Sequence, residues 1–107
     1  MAELVPELTQ KEFEDLTKSS GLVLIDFFAD WCMPCMMMIP VVDDLALEFS
    51  GQIKFGKVNV GDYQDLAAKF NVSSIPNFTL LKDGKILEQF VGSISMDDFE
   101  EKLKKHI

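Results

Sequence analysis

A run of apolar side chains with one carboxylate in its middle is the feature that most constrains how this chain folds. The run extends from Leu22 to Ala29, lies between Gly21 and Asp30, and contains Asp26. A short, nearly continuous apolar run of this kind is typical of a β-strand that is buried on both faces. It predicts a central strand in a sheet that is covered by helices.

Helix and strand patterns alternate on both sides of this strand. Thr9 and Glu12 form a capping box that precedes a helical pattern, and Ser95 and Asp98 form a second one. The predicted order is βαβαβαββα, an α/β fold with a mixed sheet flanked by helices. In chain order the predicted elements are a strand near 3–5, a helix near 10–18, a strand at 22–29, a helix near 34–49 kinked at Pro40, a strand at 53–60, a helix at 62–70, strands at 77–81 and 86–91, and a helix that follows Ser95.

Size and charge narrow the possible functions. The chain has 107 residues, of which 48% are hydrophobic, so one domain over residues 1–107 can bury a core without metal or disulfide staples. A net charge of −8 repels phosphate backbones and anionic lipids, so we expect no nucleic-acid or membrane partner. No apolar run approaches the roughly 20 residues of a membrane span, and the first residues lack an export-signal pattern. We therefore expect a cytoplasmic protein, and we separately expect it to be a monomer.

Two cysteines, Cys32 and Cys35, are the residues best suited to chemistry. A pair of cysteines in a chain without an export signal argues against a disulfide framework for stability. A zinc site would need two further ligands, and the single histidine, His106, lies beside the C-terminus. Redox chemistry is therefore favoured over a structural pair or half of a metal site.

The segment Trp31-Cys32-Met33-Pro34-Cys35 lies where the buried strand ends and a helix begins. Residues three apart in a helical turn have Cβ atoms about 5–6 Å apart, so a reversible disulfide is feasible. The N-terminus of a helix favours a thiolate over a thiol, which benefits Cys32 most. Pro34 suits the first helical turn, so we expect Cys32 at an exposed lip and Cys35 pointing inward. Cys32 would then attack a substrate disulfide, and Cys35 would resolve the mixed disulfide.

These residues resemble the thioredoxin family in order and spacing. The resemblance implies the thioredoxin fold, a cis peptide bond before Pro76, and reduction of protein disulfides without a bound cofactor beyond the Cys32–Cys35 disulfide. It also implies re-reduction by a thioredoxin reductase and disulfide-containing proteins as substrates. The residues that carry the resemblance are the run from Asp26 to Cys35, Pro40, Lys57, Ile75-Pro76, Gly84 and Gly92.

The resemblance further implies a shallow groove beside the cysteines, in which an extended substrate segment docks. For Trp31 the alternative is a core aromatic, and for Pro76 a residue that only shapes a turn. The residues assigned to substrate binding are Trp31, Met33, Pro34, Ile75, Pro76 and Gly92.

Asp26 and Lys57 are the candidate groups for proton transfer and for tuning the pKa of the site. Burial disfavours a charged carboxyl group, so we expect desolvation to raise the pKa of Asp26. The resemblance places Asp26 beneath Cys35, where it would accept the thiol proton through water, and Lys57 beside Asp26. The alternatives are a solvated or merely tolerated carboxyl for Asp26 and an ordinary exposed lysine for Lys57.

The chain departs from the family pattern in its methionines. Met33 stands where the family usually has glycine, and Met36 replaces a common lysine whose positive charge would favour a thiolate. Four methionines, Met33 and Met36 to Met38, crowd this region; they suit a plastic binding surface, and the alternative is a Cu(I) site. A metal-binding or partner-specific redox module on the same fold is therefore the competing function.

Overall fold

A computed structural model of the chain describes residues 4–107. Helices and strands alternate along the chain in the predicted way, with differences at the N-terminus and in the long helix. The elements are α1 (Gln10–Thr17), β1 (Leu22–Phe28), α2 (Met33–Met37), α3 (Ile39–Glu48), β2 (Ile53–Asn59), α4 (Gln64–Lys69), β3 (Asn77–Lys82), β4 (Lys85–Val91) and α5 (Met96–Lys104).

The four strands form one mixed sheet in the order β2-β1-β3-β4. Strand β1 is parallel to β2 and antiparallel to β3, and β3 pairs antiparallel with β4. All seven residues of β1 are buried. This arrangement confirms the prediction of a central strand in a mixed sheet.

Helices cover both faces of the sheet, and alternate residues of β1 face opposite layers. Leu22 and Leu24 belong to the core cluster that includes Val42 of α3 and Phe99 of α5. Residues 23, 25 and 27 belong to the cluster that contains side chains of α1 and α4. By this alternation Asp26 lies on the α3 and α5 face, at the end of β1 that leads to the cysteines.

The predicted strand near residues 3–5 is not formed by the residues that the structure describes. Residue 3 lies outside the described range, and Leu4 and Val5 are not in a strand. Instead, Glu7 forms an isolated parallel bridge with Lys57, and the Lys57 N–H donates to the Pro6 carbonyl at 2.9 Å. Proline has no N–H to donate to a ladder, which limits pairing in this segment to a short contact.

The predicted kinked helix is divided into α2 and α3 at Met38. The Met38 N–H donates to the carbonyl oxygens of Pro34 and Cys35, both at 3.2 Å, which completes the last turn of α2. Pro40 lies in the first turn of α3, where its missing N–H costs little. The interruption attributed to Pro40 is confirmed, and it falls before the proline because that residue is tolerated at a helix start.

Candidate active site

The two cysteines form a disulfide at the start of α2, with their Cα atoms 5.2 Å apart. Cys32 is the N-cap residue of this helix, and its Sγ accepts a hydrogen bond from the Cys35 N–H at 3.2 Å. A helix start carries backbone N–H groups without helical partners and the positive end of the helix dipole. Both effects favour negative charge on the Cys32 sulfur when the disulfide is reduced.

Both cysteines are buried, which corrects the expectation that Cys32 lies at an exposed lip. Cys32 is 5% exposed and Cys35 is 2% exposed. They form a small apolar cluster with Phe28 and Ala29, against which the half-buried Ile75 packs. Val60 and Ile75, which are distant from Cys32 in sequence, pack against this cluster. The local motif does not reveal these contacts.

The residues beside the disulfide form an exposed apolar surface. Trp31 is 78% exposed and Met33 is 69% exposed, and Pro34 is exposed as well. Because large apolar side chains are rarely so exposed, this surface is suited to contact another protein.

Ile75 packs against the cysteine cluster from a distant part of the chain, Pro76 follows it in sequence, and a hydrogen bond joins Gly92 to Pro76. The Ile75–Pro76 peptide bond is cis, as the resemblance implied. The Gly92 N–H donates to the Pro76 carbonyl at 2.9 Å, which joins the end of β4 to the loop before β3. Gly92 has a φ of +91°, which favours glycine, and a Cβ at this position would meet no atom within 4 Å. Pro76 is buried and Ile75 is half-buried, so Ile75 is the more accessible of the two.

Asp26 and Cys35 line the same small cleft, which has a volume of about 90 Å³. Asp26 is 5% exposed, Lys57 is 6% exposed, and the two are register partners in β1 and β2. The Lys57 Nζ also lies 5.3 Å from the centroid of the Phe28 ring, a cation–π contact. At roughly 30 Å³ per molecule, a cleft of this size has room for a few waters between a carboxyl and a thiol. The residues that line it are Glu7, Asp26, Phe28, Asp30, Cys35, Met36, Ile39 and Lys57.

Val60 and Glu7 are among the residues of this site that sequence analysis did not assign to it. Val60 packs against the cysteine cluster, and its N–H donates to the Phe28 carbonyl at 2.8 Å. Its position just after β2 was an available signal, because the carboxyl ends of parallel strands meet at one edge of a sheet. Glu7 lines the cleft through the bridge that replaces the predicted N-terminal strand, and no local pattern indicated this.

Within residues 4–107, no helix has the length and apolarity needed to cross a bilayer. Across the same residues, no three His, Cys, Asp or Glu side chains are grouped so that they would hold a metal ion.

Comparison with known proteins gives a consistent result. A family model described as Thioredoxin matches residues 4–105. A thioredoxin of Pseudomonas aeruginosa is 40% identical over 96 residues, which cover 89% of each chain. One of Bacillus subtilis is 38% identical over 103 residues, covering 96% of this chain and 98% of the relative. The solved structure of oxidized mitochondrial thioredoxin 3 from Saccharomyces cerevisiae superimposes with a TM-score of 0.84 at 32% identity, covering 94% of each chain.

Proposed function

This chain belongs to the thioredoxin family and is a thiol-disulfide oxidoreductase, and we propose that it reduces protein disulfides with Cys32 as nucleophile and Cys35 as resolving cysteine. The observation that carries this assignment is the position of Cys32 at the start of α2, where its sulfur accepts the Cys35 N–H. Cys32 is therefore the sulfur that the helix start stabilises as a thiolate, and thiolates are the attacking species in disulfide exchange.

The proposed reaction has two exchange steps. The Cys32 thiolate attacks one sulfur of the substrate disulfide, and the other substrate sulfur leaves as a thiolate that takes up a proton. Cys35 then loses its proton and attacks the Cys32 sulfur, which releases the second substrate thiol. Two electrons pass to the substrate, and the protein ends with the Cys32–Cys35 disulfide that the structure contains.

The test of this function is insulin reduction driven by dithiothreitol. The wild type is expected to accelerate reduction over dithiothreitol alone, and a variant with both cysteines changed to serine is not. If the folded, reduced wild type gave no acceleration, the proposed function would be wrong.

We propose that the substrates are proteins with accessible disulfides and that a thioredoxin reductase returns the electrons. We further propose that residues 1–107 act as one monomeric domain in the cytoplasm, because a dithiol that donates electrons suits a compartment where thiols are kept reduced. The net charge of −8 supports the absence of nucleic-acid and membrane partners.

We propose that Asp26 accepts the proton of Cys35 during resolution, with water in the shared cleft as the carrier, and that Lys57 tunes this carboxyl group. The support is that all three side chains line one cleft. A positioned base of this kind contributes to the step in which the proton moves, and Cys35 loses its proton only in the second step.

Asp26→Asn is therefore expected to slow resolution of the mixed disulfide by roughly 100-fold while leaving its formation unchanged. Stopped-flow mixing with a disulfide peptide separates the two phases. The matched control is Asp30→Asn, which neutralises another carboxyl group at the same cleft and leaves Asp26 unchanged. An unchanged resolution rate in Asp26→Asn would show that another base takes the proton.

We propose that the substrate docks in extended form against Trp31, Met33, Pro34, Ile75, Pro76 and Gly92, with backbone pairing at Ile75. The exposed apolar side chains beside the disulfide support this assignment, as does the contact between Ile75 and the cysteine cluster. Gly92 is an unsuitable position for a test, because its positive φ strains any side chain that replaces it.

Trp31→Ala is expected to raise the KM for insulin by about tenfold, because a large exposed aromatic is a common hot spot of protein contacts. Since Trp31 is 78% exposed, the substitution removes few internal contacts. The control is Leu47→Ala, which removes an exposed apolar side chain near the opposite end of α3. Equal KM values for the two variants would exclude Trp31 from the docking surface.

A further inference from the structure

The methionines that crowd the active site differ sharply in exposure. Met33 is 69% exposed and Met37 is 71% exposed, whereas Met38 is 3% exposed in the core. Met36 and Met96 are half-buried, and each packs against an apolar cluster. Two thioethers are therefore open to solvent next to the disulfide, and their neighbours are held in internal contacts.

The two exposed methionines occupy one side of α2. Met33 is the first residue of this helix and Met37 is the last, so they are four residues apart and their side chains are neighbours on the helix surface. Trp31 lies just before Cys32 and is equally open. We call Trp31, Met33 and Met37 the thioether patch. It continues the proposed docking surface by one helical turn.

We propose that Met33 and Met37 are a sulfoxidation site for hydroperoxides, and that their oxidation weakens the docking of protein substrates. This inference rests on the proposed function. In the reaction a thioether lone pair attacks the peroxide oxygen, an S–O bond forms and the O–O bond breaks. The sulfur is oxidised by two electrons, and the hydroperoxide is reduced to water or an alcohol.

The state of the cysteines makes this reaction separable from thiol oxidation. In the structure Cys32 and Cys35 are bonded to each other, so neither presents a thiolate to a peroxide. In this form the exposed thioethers are the accessible reduced sulfurs of the described residues. Peroxide would therefore still oxidise Met33 and Met37 when the active-site disulfide is formed.

Sulfoxidation converts a flexible apolar side chain into a polar one. At the thioether patch this lowers the apolar area that a docked protein buries, and we expect the KM for insulin to rise about fivefold. The thiol chemistry of Cys32 stays intact once the disulfide is reduced. Small disulfides bury little of the patch and are expected to react at the unmodified rate.

The experiment treats the disulfide form with dilute hydrogen peroxide, removes the peroxide and locates sulfoxides by peptide mass spectrometry. Insulin reduction with dithiothreitol and reduction of 5,5′-dithiobis(2-nitrobenzoate) by the reduced protein are then measured. We expect sulfoxides at Met33 and Met37 before Met36 and Met38, a raised KM for insulin and an unchanged rate with the small disulfide. Sulfoxide formation first at Met38 would overturn the inference.

Two variants separate the patch from other methionines. In the double variant Met33→Leu, Met37→Leu the treated and untreated samples are expected to have the same KM for insulin, whatever that value is. In Met96→Leu, which alters a half-buried methionine of α5, peroxide is expected to raise the KM as in the wild type. Confirmed sulfoxides with no change in the KM of the wild type would refute the docking effect. Inactivity of untreated protein toward insulin would instead refute the proposed function.

Discussion

Cys35→Ser is expected to stop turnover and to leave the substrate joined to Cys32 through a disulfide. The variant retains the Cys32 thiol that attacks the substrate. It lacks the second thiol, at residue 35, whose Cα lies 5.2 Å from that of Cys32 and which would release the product. In the absence of dithiothreitol the adduct should accumulate to nearly stoichiometric yield. Non-reducing electrophoresis and mass spectrometry of a mixture with a disulfide-bonded protein would detect it.

The matched variant is Cys32→Ser, which keeps Cys35 as the sole thiol. Cys35 lies within α2, whereas Cys32 is its N-cap residue, so the helix start favours a thiolate on Cys32 more than on Cys35. This variant is expected to form almost no adduct under the same conditions. Equal adduct yields from the two variants would reverse or abolish the assigned roles of the cysteines.

Phe99→Ala is expected to lower the free energy of unfolding by about 3–5 kcal/mol, the usual cost of removing a buried aromatic ring. Phe99 of α5 is 0% exposed, and its ring centroid lies 4.9 Å from that of Phe78 and 5.7 Å from that of Phe90. The ring therefore joins α5 to β3 and β4. A loss of this size is a large share of the roughly 5–15 kcal/mol that stabilises a small domain.

Urea unfolding of the disulfide form measures this loss as a lower midpoint at an unchanged slope. The control is Ile107→Ala, because Ile107 is 55% exposed and its loss should change the free energy by no more than about 0.5 kcal/mol. If Phe99→Ala lowered the free energy of unfolding no more than the control does, the packing of α5 on the sheet would not stabilise the fold as described.

The sequence determined the elements that local patterns encode. The run from Leu22 to Ala29 identified the central strand, because a strand buried on both faces is apolar along nearly its whole length. The strand in the structure is Leu22–Phe28. The Thr9 capping box is present as predicted, with the Glu12 N–H donating to Thr9 Oγ1 at 3.2 Å. The cysteine spacing likewise predicted a feasible disulfide, because residues three apart in a helical turn have neighbouring Cβ atoms.

The resemblance to a family predicted which residues distant in sequence lie close together, and the local patterns did not. It placed Lys57 beside Asp26, and the parallel register of β1 and β2 makes these two partners. The pattern around Lys57 alone favoured an exposed lysine. The sequence of one strand does not specify which residues of a neighbouring strand lie opposite it, so the pairing with Asp26 could not be read from either strand.

Only the tertiary structure decided how accessible the site is and what surrounds it. Ile75, from a segment far along the chain, packs against the cluster that contains the buried Cys32. Glu7 forms a bridge with Lys57 and lines the cleft that contains Asp26. The exposure of Met37 and the burial of Met38 likewise depend on where α2 ends and α3 begins. Helix caps and apolar periods arise from neighbours in sequence, whereas burial and clefts arise from segments that meet only after folding.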